Sequence, residues 1–244
     1  MQVYRRESSS ELVHSKKDHV RPDSFIEHLL KQYRCPAFID EVGMGALFAE
    51  LVACAVMIPK PFEAPEVDDS KKLKHDLIYE LAPKLRKKVV YAFGVVTCPE
   101  LKTIRNMMKA DRLAMKRAVE ALPVVPDALF IDGIFPIGGL TAPVYTVIKG
   151  DAKVFGIAVA SIIAKDYRDH MVVTRYGHKY PKYHITSNKG YRSPDHLMAI
   201  RRWGLTPYHR EWMPQIKRVL SGDYDHVIHT KYQDQWNNIT KEEV

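Results

Sequence analysis

Apolar and polar positions fall in blocks along the chain, and the blocks have two different periods. Cys35 to Glu41 is a short apolar run closed by two acids, Asp40 and Glu41, which suits a buried strand. Gly43-Met44-Gly45 follows as a tight turn. Leu51 to Ile58 is a second apolar run stopped by Pro59, a candidate antiparallel partner for the first. From Ile104 to Leu122 the apolar residues stand at 104, 107, 108, 115, 118, 119 and 122. That spacing predicts one helix, with Lys, Arg and Asp on its other face. Ala128 to Ile131 reads as a buried strand ending in Asp132-Gly133, and Thr141 to Ile148 as a further strand ending in Lys149-Gly150-Asp151. Ile157 to Val173 reads as a helix, Tyr176 to Arg192 as a loop rich in Tyr, His and Lys, and Pro194 to about Trp203 as a helix. Another helix is expected from Arg210 to Leu220. Strands interleaved with helices place the chain in the α/β class. The expected organisation is a polar extension over 1–34, a main domain over 35–193, a small helical part over 194–220 and a polar tail over 221–244.

Composition narrows the class. The chain has 244 residues, enough for one large domain. Hydrophobic residues are 46% and charged residues 27%, which excludes disordered, collagenous and disulfide-scaffold proteins for the bulk of the chain. Cys35, Cys54 and Cys98 are odd in number and widely spaced, with no C-x-x-C, so neither a disulfide framework nor a cysteine zinc site is expected. The first eighteen residues lack an apolar core of the secretory kind. The Leu51–Pro59 run is far too short to span a bilayer. These features point to a reducing, cytoplasm-like compartment and no membrane partner.

Charge changes the picture further. The net charge is +8, and it is concentrated. Arg175 to Leu220 holds ten Lys or Arg and two acids, while the rest of the chain holds 27 of each sign. From Arg175 to Pro194 there is no acid, and the cations alternate with Tyr176, Tyr180, Tyr183 and Tyr191. Cations meet a phosphate backbone and aromatic faces meet bases or sugars, so the stretch suits a nucleic acid, although such a run also serves as a plain solvated face. His178, His184, His196 and His209 do not have zinc-like spacing.

Three apolar strands end in acids, at Asp40-Glu41, Asp132 and Asp151. Each acid alone also reads as a helix cap or a turn former. Three such ends in one domain argue that they converge, because a carboxylate beyond an apolar run needs water, a cation or a donor. Oxygen-only ligands favour Mg²⁺ or Mn²⁺. Neighbouring strand side chains point to opposite faces. Asp40 and Glu41 can therefore share a site only if the strand bends at the glycines or one residue contributes its backbone carbonyl. A dinucleotide site at Gly43-x-Gly45 is excluded, because the third glycine is missing and two acids precede the turn.

Eight segments, in order from about Phe38 to Arg210, carry a family resemblance. They are Ile39-Asp40-Glu41-Val42-Gly43-Met44-Gly45; Asp69-Ser70-Lys71-Lys72-Leu73; the helix from Ala110 to Leu122; Ile131-Asp132-Gly133; Lys149-Gly150-Asp151; Ala160 to Asp169; Lys189-Gly190-Tyr191 with His196; and Thr206-Pro207-Tyr208-His209-Arg210. In these the chain resembles type 2 ribonucleases H, and bacterial ribonuclease HII in particular. The resemblance implies a ribonuclease H-like mixed central sheet flanked by helices, with a small C-terminal helical part. It implies a monomeric endoribonuclease that hydrolyses the RNA strand of RNA–DNA hybrids, or of duplex DNA containing ribonucleotides, and leaves 3′-OH and 5′-phosphate ends. It places two Mg²⁺ or Mn²⁺ ions on Asp40, Glu41, Asp132 and Asp151, and a junction-reading ring at Tyr191. Lys71 and Lys72 fall at phosphate-contact positions, and Lys189 and Arg192 flank the junction tyrosine. The family's Gly-Arg-Gly loop, which grips the 2′-OH and phosphate, reads as Gly43-Met44-Gly45 here. The charge is absent, so the resemblance implies weakened reading of a single ribonucleotide. A catalytically silent hybrid-binding protein is the alternative that Met44 raises.

Overall fold

The computed structural model describes residues 3–5, 26, 28–59 and 75–222. Lys71, Lys72 and most of the 1–34 and 221–244 segments lie outside the described residues. The strands are β1 (Val3–Arg5), β2 (Pro36–Val42), β3 (Leu51–Met57), β4 (Val90–Val96), β5 (Ala128–Asp132) and β6 (Val144–Val147). The helices are α1 (His75–Arg86), α2 (Cys98–Ile104), α3 (Met107–Glu120), α4 (Phe155–Val172), α5 (Ile185–Asn188), α6 (Pro194–Trp203) and α7 (Pro214–Ser221). They fall into two compact units. One comprises Met1–Val42, Leu51–Val96 and Met107–Arg168, and the other Gly43–Glu50, Thr97–Asn106 and Asp169–Val244. The sequence places a boundary at 193/194, whereas the compact units part after Arg168 and the second takes in two earlier segments.

The first unit is built on a six-stranded mixed sheet of order β1-β6-β5-β2-β3-β4. β2 runs parallel to β5 and antiparallel to β3, and β5 runs parallel to β6. Every residue of β3 is buried, as expected of a strand covered on both faces. The register assigns those faces. Gly94 of β4 is level with Ala53, and Ala53 is level with Glu41, so these three share one face. A Cβ at Gly94 would lie 1.9 Å from the Ala114 carbonyl oxygen, which shows that α3 is seated on that face at backbone distance. Phe93, Cys54 and Asp40 share the other face, where Phe93 stacks on Tyr167 of α4 with ring centroids 4.0 Å apart. Phe38 lies on the same side, in close approach to Gly156 at the start of α4.

Several elements differ from the pattern reading. β4 and α1 fall between Pro59 and Ile104, where periodicity predicts nothing. β4 is an edge strand whose apolar run includes Gly94, and α1 carries Pro83 inside it. Val3–Arg5 adds a strand to β6 from within the expected extension. The single helix expected from Ile104 is two. Arg105 takes the left-handed conformation (φ 46°), returns its N–H to the Leu101 carbonyl and ends α2, and α3 starts at Met107. The helix expected from Arg210 starts instead at Pro214, a residue suited to the first helical position.

In the second unit the core is aromatic. Phe48 is fully buried, with the rings of Tyr176 at 5.1 Å and His209 at 5.0 Å. No described helix is long and apolar enough to cross a membrane.

Candidate active site

In the first unit three of the four expected acids meet. Ligand atoms of Asp40, Glu41 and Asp132 all lie within 4.8 Å of one another. β2 does not bend to achieve this, for its pairing with β3 continues without interruption through Asp40, Glu41 and Val42. The carboxylate oxygens therefore come together without a kink within β2. On its other side, pairing with β5 stops at Ile39 opposite Ile131.

Each carboxylate is held. The Glu41 N–H donates to Asp40 Oδ1 at 2.8 Å, and the Ser161 hydroxyl of α4 also bonds to Asp40. The Gly150 N–H donates to Asp132 Oδ1 at 2.5 Å, which ties the end of β5 to the turn that carries Asp151. Asp151 stands outside the tight trio but near enough to act on Glu41. Burial raises the Asp40 carboxyl well above the usual range, with further upward pushes from Glu41 and Asp132. Glu41 is raised by burial, then by Asp132 and more weakly by Asp151. Negative charges crowded in a sparsely hydrated place are what a hard divalent cation relieves, so the donor set fits Mg²⁺ or Mn²⁺.

A fifth acid, Asp111, joins this neighbourhood. Periodicity assigned the Asp of α3 to its polar face, and the structure corrects this. Asp111 is 9% exposed and lies on the buried stripe with Ala114, Met115 and Ala118. Its carboxyl is pushed up to about 7, by burial first and then by Glu41, with Arg112 opposing and Asp132 adding a smaller push. The signal was present in the sequence, since 111 is in phase with 108, 115, 118 and 122.

The second unit gathers the candidate recognition residues. Gly43 is buried with φ 95°, Met44 is half-buried and Gly45 is exposed. The loop that follows is fastened to the Lys189-Gly190-Tyr191 turn, since the Leu47 N–H donates to the Gly190 carbonyl at 2.8 Å. The Ala49 N–H donates to Tyr208, and the Arg210 N–H to Leu47. Arg210 is fully buried. Its guanidinium donates to the carbonyls of Gly43 (2.6 Å), Ala46 (2.8 Å) and Ala49 (2.9 and 3.1 Å), with Met44 at 3.5 Å. Sequence reading missed this role for Arg210, because a buried cation serving carbonyls has no periodic signature.

Tyr191 is half-buried and Arg192 exposed, while Lys189 is half-buried with its ammonium on the Thr186 carbonyl. The Tyr191 carbonyl ends a relay. Thr206 N–H donates to His209 Nδ1 (2.9 Å), which leaves the proton on His209 Nε2. That proton goes to His196 Nε2 (3.2 Å), and His196 Nδ1–H donates to the Tyr191 oxygen (2.8 Å). Both rings are thus neutral, and burial lowers both, His209 to about 3. They position Tyr191 and are not free bases.

Two of the four interleaved tyrosines are not surface groups. Tyr176 and Tyr183 are buried, and the Tyr176 hydroxyl donates to Glu50 Oε1 at 2.7 Å. Arg175 also pairs with Glu50, at 3.3 Å, so it is engaged within the protein. Arg192, Lys179 and Lys182 are also exposed, with the Lys179 ammonium over the Tyr180 and Tyr208 rings and that of Lys182 over Trp203.

Comparison with known proteins agrees with this geometry. The model of the family described as ribonuclease HII matches residues 37–220. A ribonuclease HII of Parabacteroides distasonis is 42% identical over 189 residues, covering 77% of this chain and 94% of its own length. Another, from Syntrophotalea carbinolica, is 37% identical and covers 82% of this chain and 96% of its own. Among solved structures, the ribonuclease H2 of Pyrococcus horikoshii superposes with a TM-score of 0.63 at 25% identity, covering 76% of this chain and 97% of that one. With the mixed sheet, the ribonuclease H-like fold and the meeting of Asp40, Glu41 and Asp132 all in agreement, the chain belongs to the ribonuclease HII family of ribonuclease H enzymes.

Proposed function

We propose that this chain is a monomeric endoribonuclease that hydrolyses the RNA strand of RNA–DNA hybrids and leaves 3′-OH and 5′-phosphate ends. The observation that carries this reading is the convergence of Asp40, Glu41 and Asp132 within 4.8 Å. With Asp151 they would hold divalent cations, Mg²⁺ or Mn²⁺, and two such ions suit the four carboxylates. When bound, such ions supply a nucleophile at neutral pH and stabilise a leaving oxygen. The chain's own part is preorganisation. Ser161 and the Glu41 N–H orient Asp40, the Gly150 N–H orients Asp132, and burial keeps these charges in a medium where they act strongly.

Recognition would fall to the second unit. The Gly43-Met44-Gly45 backbone would approach the ribose and phosphate, Tyr191 would pack on the sugar past the junction, and Lys189 and Arg192 would meet phosphates. Lys71 and Lys72 would add to these. Met44 replaces a charge whose phosphate hydrogen bond would contribute about 1.5–3 kcal/mol. Cleavage at a single embedded ribonucleotide is therefore weaker than in longer RNA tracts. Three free cysteines suit a reducing, cytoplasm-like setting.

The test is a substrate panel of hybrid, single-ribonucleotide duplex and RNA duplex, each in Mg²⁺ and in Mn²⁺. The wild type cuts the hybrid, Asp132→Asn does not, and Met44→Arg gains on the single-ribonucleotide duplex. A wild type inert in both metals, yet binding the hybrid, would establish the silent binder instead. No gain with Met44→Arg would remove Met44 from the account.

A further inference from the structure

The acid cluster has a neighbour that its four expected members do not explain. Asp111 is more than nine-tenths buried, and its Oδ1 has no hydrogen-bond partner. A buried carboxylate oxygen without a partner is costly, so the position calls for a purpose. It is not a helix cap. Asp111 is the fifth residue of α3, past the four N–H groups that a helix start leaves open. Nor does the adjacent cation neutralise it by direct contact, for the Arg112 guanidinium lies over the Phe135 ring, 5.4 Å from its centroid.

Two charges that bear on Asp111 are Glu41 and Asp132, members of the trio. The register explains the approach. Glu41 lies on the sheet face that α3 covers, while Asp40 lies on the face that α4 covers. Asp111 comes from the α3 side, on a helix seated at backbone distance from Gly94. Placing a further negative group beside two others without a donor makes sense if a cation stands among them. The chemistry selects a hard divalent ion, because every donor is a carboxylate oxygen.

We propose that Asp111 is a fifth carboxylate of the cation site and binds Mg²⁺ or Mn²⁺ from the α3 side through its free Oδ1. This rests on the reading of Asp40, Glu41 and Asp132 as that site. The consequence is measurable without substrate, because it concerns how tightly the full chain holds cations.

The experiment is calorimetric titration of the full chain with Mn²⁺ at neutral pH, checked by the paramagnetic resonance signal of free Mn²⁺. Wild type is compared with Asp111→Asn, Asp111→Ala and Asp132→Asn, and folding of each is verified by circular dichroism. Asp111→Asn keeps the shape and removes the charge, and Asp111→Ala controls for new contacts made by the amide. Both are expected to weaken Mn²⁺ binding at least tenfold or to lose one bound ion. If both bind Mn²⁺ within twofold of wild type while Asp132→Asn is impaired, the role of Asp111 is overturned and the trio stands. If wild type binds no Mn²⁺, the cation-site reading and the Asp111 inference fall together.

Discussion

Arg210 is the residue on which the Gly43–Glu50 loop hangs, and replacing it separates recognition from metal binding. Its guanidinium makes close bonds to three carbonyls and touches a fourth, in a place with about 1% exposure. Arg210→Met retains most of the stem and removes the donors. The Gly43, Ala46 and Ala49 carbonyls then lose this donor, at roughly 1–3 kcal/mol for each that finds no other. Relief of burying the charge offsets part of that. The net loss should be about 3–5 kcal/mol, the range for breaking a buried charged network. Arg210→Lys keeps the charge but offers a point donor in place of a fork, so it should lose about 2 kcal/mol. Urea unfolding of both variants measures this. The second readout is binding. Hybrid affinity, measured in Ca²⁺ to suppress cleavage, should fall about tenfold in Arg210→Lys, equivalent to roughly 1.4 kcal/mol. Mn²⁺ affinity should hold within twofold, because the Arg210 guanidinium donates to loop carbonyls while the acids are carried by strands β2 and β5. Wild-type urea midpoints in both variants would refute the anchoring argument. Equal losses of hybrid and Mn²⁺ binding would refute the separation.

Other outcomes follow from the same physics. Burial lowers His209 to about 3, so the folded chain resists a proton that the unfolded chain accepts below about 6.5. Stability from this group is complete above pH 6.5 and is lost as pH falls, by about 1.4 kcal/mol at pH 5.5. The Asp111 carboxyl, pushed up to about 7, acts in the opposite sense over the same window, and the raised carboxyls of Asp40 and Glu41 share its sign. The measurement is therefore the difference in urea-unfolding free energy between wild type and His209→Gln at pH 7.5 and 5.5, and parallel curves would sink the claim. Gly94→Ala should drive a methyl into the Ala114 carbonyl and the Ala118 nitrogen. The expected cost is about 3 kcal/mol, near the upper end for overpacking, with a melting temperature lower by several degrees. An unchanged melting temperature would mean that α3 is not seated so closely.

The parts of the fold legible in the sequence are those where one physical demand dominates. β2, β3 and β5 are buried on both faces, so they read as uninterrupted apolar runs, and the acids at the ends of β2 and β5 announce themselves. β4 was not legible because an edge strand faces fewer demands and Gly94 breaks its pattern. Asp111 was missed because a lone polar residue in an apolar stripe reads as a phase error unless its partners are known to lie beside it. The meeting of Asp40 and Glu41 was expected to need a bend. It occurs beside Asp132 on β5, a strand whose Ile131 pairs with Ile39 across 92 positions of sequence. The tyrosines show the converse limit. Tyr176 and Tyr183 share the spacing of Tyr180 and Tyr191, and only packing separates core rings from accessible ones.

The anchoring of the Gly43–Glu50 loop has a consequence for how the molecule comes into being. The acceptors on that loop are synthesised before their donor, Arg210, which follows between 161 and 167 residues later. Until it emerges from the ribosome the loop carbonyls have no such cation to organise them, whereas the β2–β3 hairpin that flanks the loop can pair at once. Bringing such distant groups together is slow compared with local pairing. The order of assembly is therefore built into the topology: the strand bearing Asp40 and Glu41 early, the turn that follows it later. A nascent or truncated chain that stops short of Arg210 carries the acids with the Gly43–Glu50 loop unanchored.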